Sequence, residues 1–155
     1  MNNETIINKL KDGNKQYVKG GIIGDVSKNR RIDTYLNGQS PFALVITCSD
    51  SRVIPEVIFQ QGIGDLFVVR VAGNVVDEFV LGSIEYAIEH LNITCVVVLG
   101  HKNCGAVSSC LNHASGRYVN KLIERISQNI KNEKDYDKAI ELNVKAEVLN
   151  LKQAF

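Results

Sequence analysis

An α/β fold with a mostly parallel central sheet flanked by helices follows from three features of the sequence. Short apolar runs at 42–47, 66–71 and 94–99 alternate with stretches of helical period, the pattern of strand–helix–strand units. The first run, Phe42-Ala43-Leu44-Val45-Ile46-Thr47, is apolar on both faces, as a central strand covered on each side must be. Two of the runs lead into soft metal ligands, Cys48 and His101, which sets both residues at the carboxyl edge of the sheet. In doubly wound sheets ligands bind at that edge where the winding reverses, and the strand order 2-1-3 puts strands 1 and 3 side by side there.

Each element has its own signal. Residues 4–19 place Ile6, Ile7, Leu10, Tyr17 and Val18 at spacings near three, four and seven, an amphipathic helix interrupted by Gly13. The stretch 20–41 holds Gly20-Gly21, Gly24, Asn37-Gly38 and Pro41 without a sustained period. It reads as a long loop or extended arm, of the kind that lies on a partner. Pro55 opens a helical turn over 55–60, which Gly62 and Gly64 end. The strand 66–71 is closed by Ala72-Gly73-Asn74. Over 77–91 a helix carries Phe79, Val80, Ile84, Ala87, Ile88 and Leu91 on one stripe, with Asp77 and Glu78 in its first turn. After strand 94–99 the remainder reads as helices over 105–112, 117–131 and 136–153.

The 155 residues fit one domain, 1–155, and 45% hydrophobic content supplies one ordinary core. A net charge of +1 without long blocks of either sign excludes the electrostatic footprint of nucleic-acid or anionic-membrane binding. The expected partner is a small molecule or another protein. The N-terminus lacks a basic start with an apolar region behind it, and no apolar run approaches the roughly 20 residues that span a bilayer, so a cytoplasmic location is expected. Four cysteines are too sparse for a disulfide scaffold, and near a histidine they point to metal or to chemistry.

Cys48, His101 and Cys104 supply a Cys2His ligand set, which leaves the fourth position of a tetrahedral zinc to water or substrate. His101-x-x-Cys104 brings two side chains round one turn onto the same ion. A zinc there lowers the pKa of its water from 15.7 to about 7 and provides hydroxide at neutral pH, the chemistry of a hydrolase or hydratase. Asp50 and Arg52 follow the first ligand closely enough to pair beside the metal, since a guanidinium holds a carboxylate by two parallel bonds. The Asp50 oxygen then either orients the nucleophile or turns inward as a fourth ligand that closes the site. Cys95 and Cys110 read as core. His90 and His113 read as exposed or packing residues.

Cys48-Ser49-Asp50-Ser51-Arg52 with His101-Lys102-Asn103-Cys104-Gly105 resembles the β-class carbonic anhydrase family. Arg70-x-Ala72-Gly73-Asn74 and Gly82-Ser83-Ile84-Glu85-Tyr86-Ala87 are similar to its other characteristic stretches, in one collinear order over roughly residues 4–150. The resemblance implies a zinc enzyme that interconverts carbon dioxide and bicarbonate, built as a homodimer or a larger assembly of dimers. It makes Cys48, His101 and Cys104 the zinc ligands and Asp50 with Arg52 the orienting dyad. It assigns Gln39 to substrate across a dimer interface, Phe67 and Tyr86 to an apolar pocket, and the Gly105 amide to bicarbonate. Three departures stand out. The chain stops at Phe155, before the edge strand that follows the last helix in the family; Val71 stands where many members carry Asn; and Val45 replaces the tryptophan of members with a noncatalytic bicarbonate pocket.

Other chemistries compete with this reading. A phosphatase-type Cys-x5-Arg loop from Cys48 needs Arg at position 54, which is Ile54. A Cys48 nucleophile with His101 as base leaves Cys104 without a role. A zinc-stabilised relative without turnover, and a hydrolase of carbonyl sulfide or carbon disulfide, use the same ligands.

Overall fold

The central strand is β1 (Ala43–Thr47), and all five of its residues are buried. In the computed structural model, which describes all 155 residues, it lies between β2 (Leu66–Arg70) and β3 (Val96–Leu99), in the order β2-β1-β3. Pairing advances in the same direction on both sides of β1, so the sheet is parallel. On one side the Phe42 amide donates to the Asp65 carbonyl, and further along the Val71 amide donates to the Thr47 carbonyl. On the other side the Leu44 amide donates to Cys95, and the Thr47 hydroxyl donates to the Leu99 carbonyl at 2.9 Å. The expected order and the covered central strand are both present.

The chain forms two compact units. The first comprises Met1–Val45, Ile54–Val69 and Val80–Val97. Its helix α1 (Asn3–Val18) starts where the Asn2 side chain accepts from the Thr5 amide, and it buries Ile6 and Leu10. Gly13 is no weakness in this helix. A Cβ there would collide with the backbone of Phe59, which follows the short helix α3 (Pro55–Ile58), and neighbouring Asn14 donates to the Ile58 carbonyl at 3.3 Å.

The expected loop over 20–41 is corrected by a helix, α2 (Lys28–Asn37). Ser27 caps it by accepting from the Arg30 amide, and no proline or glycine interrupts it. It buries no residue: Ile32, Tyr35 and Leu36 form a short stripe at helical spacing that stays exposed, and the glycines and proline around it make the stretch read as loop. Arg30 holds it instead, donating to the Ile63 carbonyl at 2.8 Å and pairing with Asp65 at 3.2 Å.

Helix α4 (Glu78–Leu91) buries Val80, Ile84 and Ala87, on one stripe as expected. Phe79 departs from that stripe and is 87% exposed, because a step of one residue turns it about 100° from Val80.

The second unit comprises Ile46–Val53, Arg70–Phe79 and Val98–Phe155. A short 3₁₀ turn, Ala72–Asn74, follows β2. Three helices complete the unit: α5 (Gly105–Leu111), α6 (Val119–Ile130) and α7 (Tyr136–Ala154). Val107, Cys110, Ile126, Ile130 and Ala139 form its core with Val75, Cys48 and Cys104. Asp135 caps α7 by accepting from the Lys138 amide. No helix is long and apolar enough to cross a membrane.

Replacing an exposed helical glycine by alanine normally stabilises by up to about 1 kcal/mol. Gly13→Ala is expected to do the opposite, destabilising by about 1–3 kcal/mol through the forced shift of α1 from the Phe59 backbone. Urea unfolding measures the sign, and a stabilised variant removes the close approach from the account.

Candidate metal centre

The second unit gathers the ends of β1 and β3. Cys48 directly follows β1, and β3 runs through Gly100 into His101. Asn103 takes a left-handed conformation, φ 56°, which turns the chain sharply before Cys104 and the start of α5. The result is a cluster in which a sulfur of Cys48, a ring nitrogen of His101 and a sulfur of Cys104 all lie within 4.8 Å of one another. The two sulfurs are 4.0 Å apart.

One polar atom left over in this cluster points to a cation. His101 Nδ1 lies 2.8 Å from the Lys102 carbonyl, which can only accept, so the proton belongs on Nδ1 and the lone pair on Nε2. That Nε2 is buried without a hydrogen-bond partner, and the nearest carboxylate oxygen, from Asp50, is 3.9 Å away. A buried acceptor without a donor is costly unless an ion fills the place. Two thiols and one imidazole form a soft donor set that suits a borderline-soft divalent metal, and Cys48, His101 and Cys104 therefore fit one. The carbonyl that orients His101 is the usual outer support of a metal-binding imidazole.

The two thiols are driven apart in acidity. The Cys104 thiol donates to Cys48, the Gly73 amide donates to the same sulfur at 3.2 Å, and together they hold Cys48 far below the ordinary cysteine range. The neighbouring Cys48 sulfur and burial push Cys104 upward, so the pair shares one proton.

Asp50 stands beside this cluster with both oxygens engaged by Arg52. Nε donates to Oδ1 at 2.9 Å, Nη2 donates to Oδ2 at 2.7 Å, and the Arg52 amide adds a bond to Oδ1 at 3.0 Å. These bonds hold the Asp50 carboxyl well below the usual carboxylate range. Arg52 also donates to the Asn103 carbonyl at 3.0 Å, which ties the first motif to the second.

Sequence reasoning missed several supports. Arg70 donates to the carbonyls of Cys48 and Asp50, at 3.2 and 2.6 Å, and fixes the loop that carries both. The Tyr136 hydroxyl donates to the Cys104 carbonyl at 2.7 Å. Arg70 and Gly73 belong to a stretch that the motif Arg70-x-Ala72-Gly73-Asn74 marks, although the motif gives neither a role. Tyr136 carried no signal, being 32 positions from its partner.

The remaining expected site residues are distributed over both units. Gly105 opens α5 directly after Cys104, with open space where a Cβ would stand. Gln39, Phe67 and Tyr86 belong to the first unit. Gln39 is exposed before β1, and the half-buried Phe67 ring lies 6.3 Å from that of Tyr86, itself 5.0 Å from His90. Cys95 and Cys110 are buried as expected, and all four cysteines are free of disulfides.

The carbonic anhydrase family model matches residues 43–154. This chain belongs to the β-class carbonic anhydrase family. Carbonic anhydrase 2 of Mycobacterium tuberculosis is 44% identical over 126 residues, covering 78% of this chain and 61% of that protein. The carbonic anhydrase of Mycolicibacterium smegmatis is 43% identical over 126 residues, with the same coverage of 78% and 61%. A solved Coccomyxa β-carbonic anhydrase in complex with acetazolamide is 30% identical with a TM-score of 0.67, covering 92% of this chain and 69% of that one. The chain thus spans 61% of the length of these two mycobacterial relatives.

The shared proton makes a prediction for the metal-free protein. Thiolate absorbance at neutral pH is expected to correspond to about one thiolate per chain. Cys48→Ser is expected to abolish it, and equal absorbance in the variant places the charge on another cysteine.

Proposed function

We propose that this chain catalyses the zinc-dependent reversible hydration of carbon dioxide to bicarbonate and a proton. The observation that carries the proposal is the buried cluster of Cys48, His101 and Cys104 beside an Arg52-locked Asp50 carboxylate, in a chain of the β-class carbonic anhydrase family. In this reading Cys48 Sγ, His101 Nε2 and Cys104 Sγ hold zinc. When bound, zinc acts as a Lewis acid that activates water at neutral pH.

The rest of the work falls to side chains of the protein. Asp50 stays an acceptor across the neutral range, because Arg52 holds it ionised. A carboxylate fixed by two parallel bonds has a fixed lone-pair direction, so it orients the attacking oxygen by accepting its hydrogen. The Gly105 amide supports the bicarbonate oxygen as charge develops. The family resemblance assigns Gln39 to substrate across a dimer interface, and Phe67 and Tyr86 to an apolar pocket. The oxygen adds to carbon, the product leaves as bicarbonate, and the released proton passes to buffer.

A homodimer and a cytoplasmic location complete the reading. The dimer is supported by Ile22, Tyr35 and Leu36, large apolar side chains that are 70% exposed or more and invite a covering surface.

The test is stopped-flow carbon dioxide hydration from about pH 6.5 to about 9 on protein of known zinc content. Turnover that rises with pH at one zinc per chain is the expected result. Full zinc without turnover at any pH overturns the enzyme in favour of a noncatalytic relative. Cys104→Ser is expected to lose zinc and activity together, and a variant that keeps both removes Cys104 from the ligand set. Asp50→Ala is expected to keep zinc while the rate falls by about 100-fold or more, and an unchanged rate ends its orienting role.

A further inference from the structure

Helix α7 carries two polar residues that the proposed reaction does not use and that the core would ordinarily reject. Asn143 is 1% exposed and Glu147 is wholly buried. Both belong to one chain of hydrogen bonds that leads to the sulfur of Cys48. Glu147 accepts from Arg125 Nε and Nη2, each at 3.0 Å, from Asn129 at 2.8 Å and from Asn150 at 3.2 Å. Asn129 spends its amide hydrogens on Glu147 and on the Asn143 oxygen, the latter at 2.9 Å. The Asn143 amide nitrogen donates to the Gly73 carbonyl at 2.8 Å, and the Gly73 amide donates to Cys48 Sγ at 3.2 Å.

The direction of this chain is forced. A carboxylate with four bonds already received has nothing to donate, so Asn129 must turn its hydrogens toward Glu147. The Asn143 oxygen must then face Asn129, and its nitrogen must face Gly73. An Asn143 flipped the other way would set two donors together and aim an oxygen at the Gly73 carbonyl.

Gly73 needs this support. It adopts φ 69°, ψ 18°, a left-handed conformation inside the 3₁₀ turn, and a Cβ there would meet Ile126 Cδ1 at 2.8 Å. Ile126 and Asn143 therefore hold the same peptide segment, one by packing and one by a hydrogen bond. The orientation of the segment decides whether the Gly73 amide points at Cys48.

We propose that Asn143 and Glu147 are positioning residues for the Cys48 ligand, which hold the Gly73 turn so that its amide donates to the metal-binding sulfur. A donor on a thiolate stabilises the sulfur lone pairs and sets how much electron density they give a metal. Glu147 acts at the far end, through Asn129, by fixing which way the Asn143 amide faces.

The proposal rests on the metal reading of Cys48, and a cobalt(II) titration of the purified chain separates the two. Cobalt bound by thiolate gives a sulfur-to-metal charge-transfer band, whose energy reports on the sulfur itself. In Asn143→Ala the band is expected to move to lower energy, because the sulfur lone pairs lose their donor, and apparent cobalt affinity is expected to fall by about tenfold. Glu147→Gln, of the same shape, is expected to move the band the same way by less, and it carries the test alone if Asn143→Ala does not fold. Ile130→Ala, a core change in the same unit outside this chain of bonds, is expected to lower the thermal midpoint and leave the band in place. A wild-type protein without the band overturns the metal reading and this proposal with it. A wild-type band that folded Asn143 and Glu147 variants reproduce unshifted, or that Ile130→Ala shifts equally, overturns this proposal alone.

Discussion

The candidate site depends on the pairing of the ends of β1 and β3. Thr47 donates to the Leu99 carbonyl across this pair, one residue before Cys48 and two before His101. Once those backbones are parallel neighbours, the two chains leave the sheet at the same edge, and ligands far apart in sequence meet without further long-range organisation. A parallel neighbour can be reached only through a crossover, so the intervening β2 and α4 are the connection that makes the site possible.

Beyond the strand ends, the loops are held by satisfying polar atoms near a buried cluster. The carbonyls of Cys48, Asp50, Asn103 and Cys104 each receive a side-chain donor, from Arg70, Arg70, Arg52 and Tyr136 in turn. The more enclosed Cys48 and Cys104 carbonyls, left without partners, would cost about 1–3 kcal/mol each. These donors also immobilise the loops, so side-chain positions at the cluster are set by backbone held from behind. His101 Nε2 has no such partner, and its orphaned lone pair is the feature that most directly calls for a cation.

Helices α5, α6 and α7 extend the same logic inward. Their apolar residues build a core around Cys48 and Cys104, which excludes water from the sulfurs. Glu147, Arg125, Asn129 and Asn143 thread a polar path through it that ends on Gly73. A buried carboxylate is tolerated only when fully bonded, and Glu147 is. In the first unit the comparable device is steric, with Gly13 allowing α1 to approach the backbone at Phe59.

By itself, the sequence determined the elements whose signals are local. Short, largely apolar runs marked β1, β2 and β3, the stripe of Val80, Ile84 and Ala87 marked α4, and Cys48 with His101-x-x-Cys104 marked the candidate metal cluster, because ligand chemistry resides in residue type and spacing. Helix α2 escaped because Gly20, Gly21, Gly24, Gly38 and Pro41 around it read as loop, and because Arg30 holds it through contacts some thirty positions away. Phe79 misled because apolarity alone does not show which way a first-turn residue faces. Tertiary structure alone decided that Arg70 and Tyr136 brace the loops, that Arg52 also reaches the Asn103 carbonyl, and that Asn143 and Glu147 reach toward Cys48. Such roles are hydrogen-bond partnerships between distant segments, and a polar residue carries no mark of its partner until the fold brings the two together.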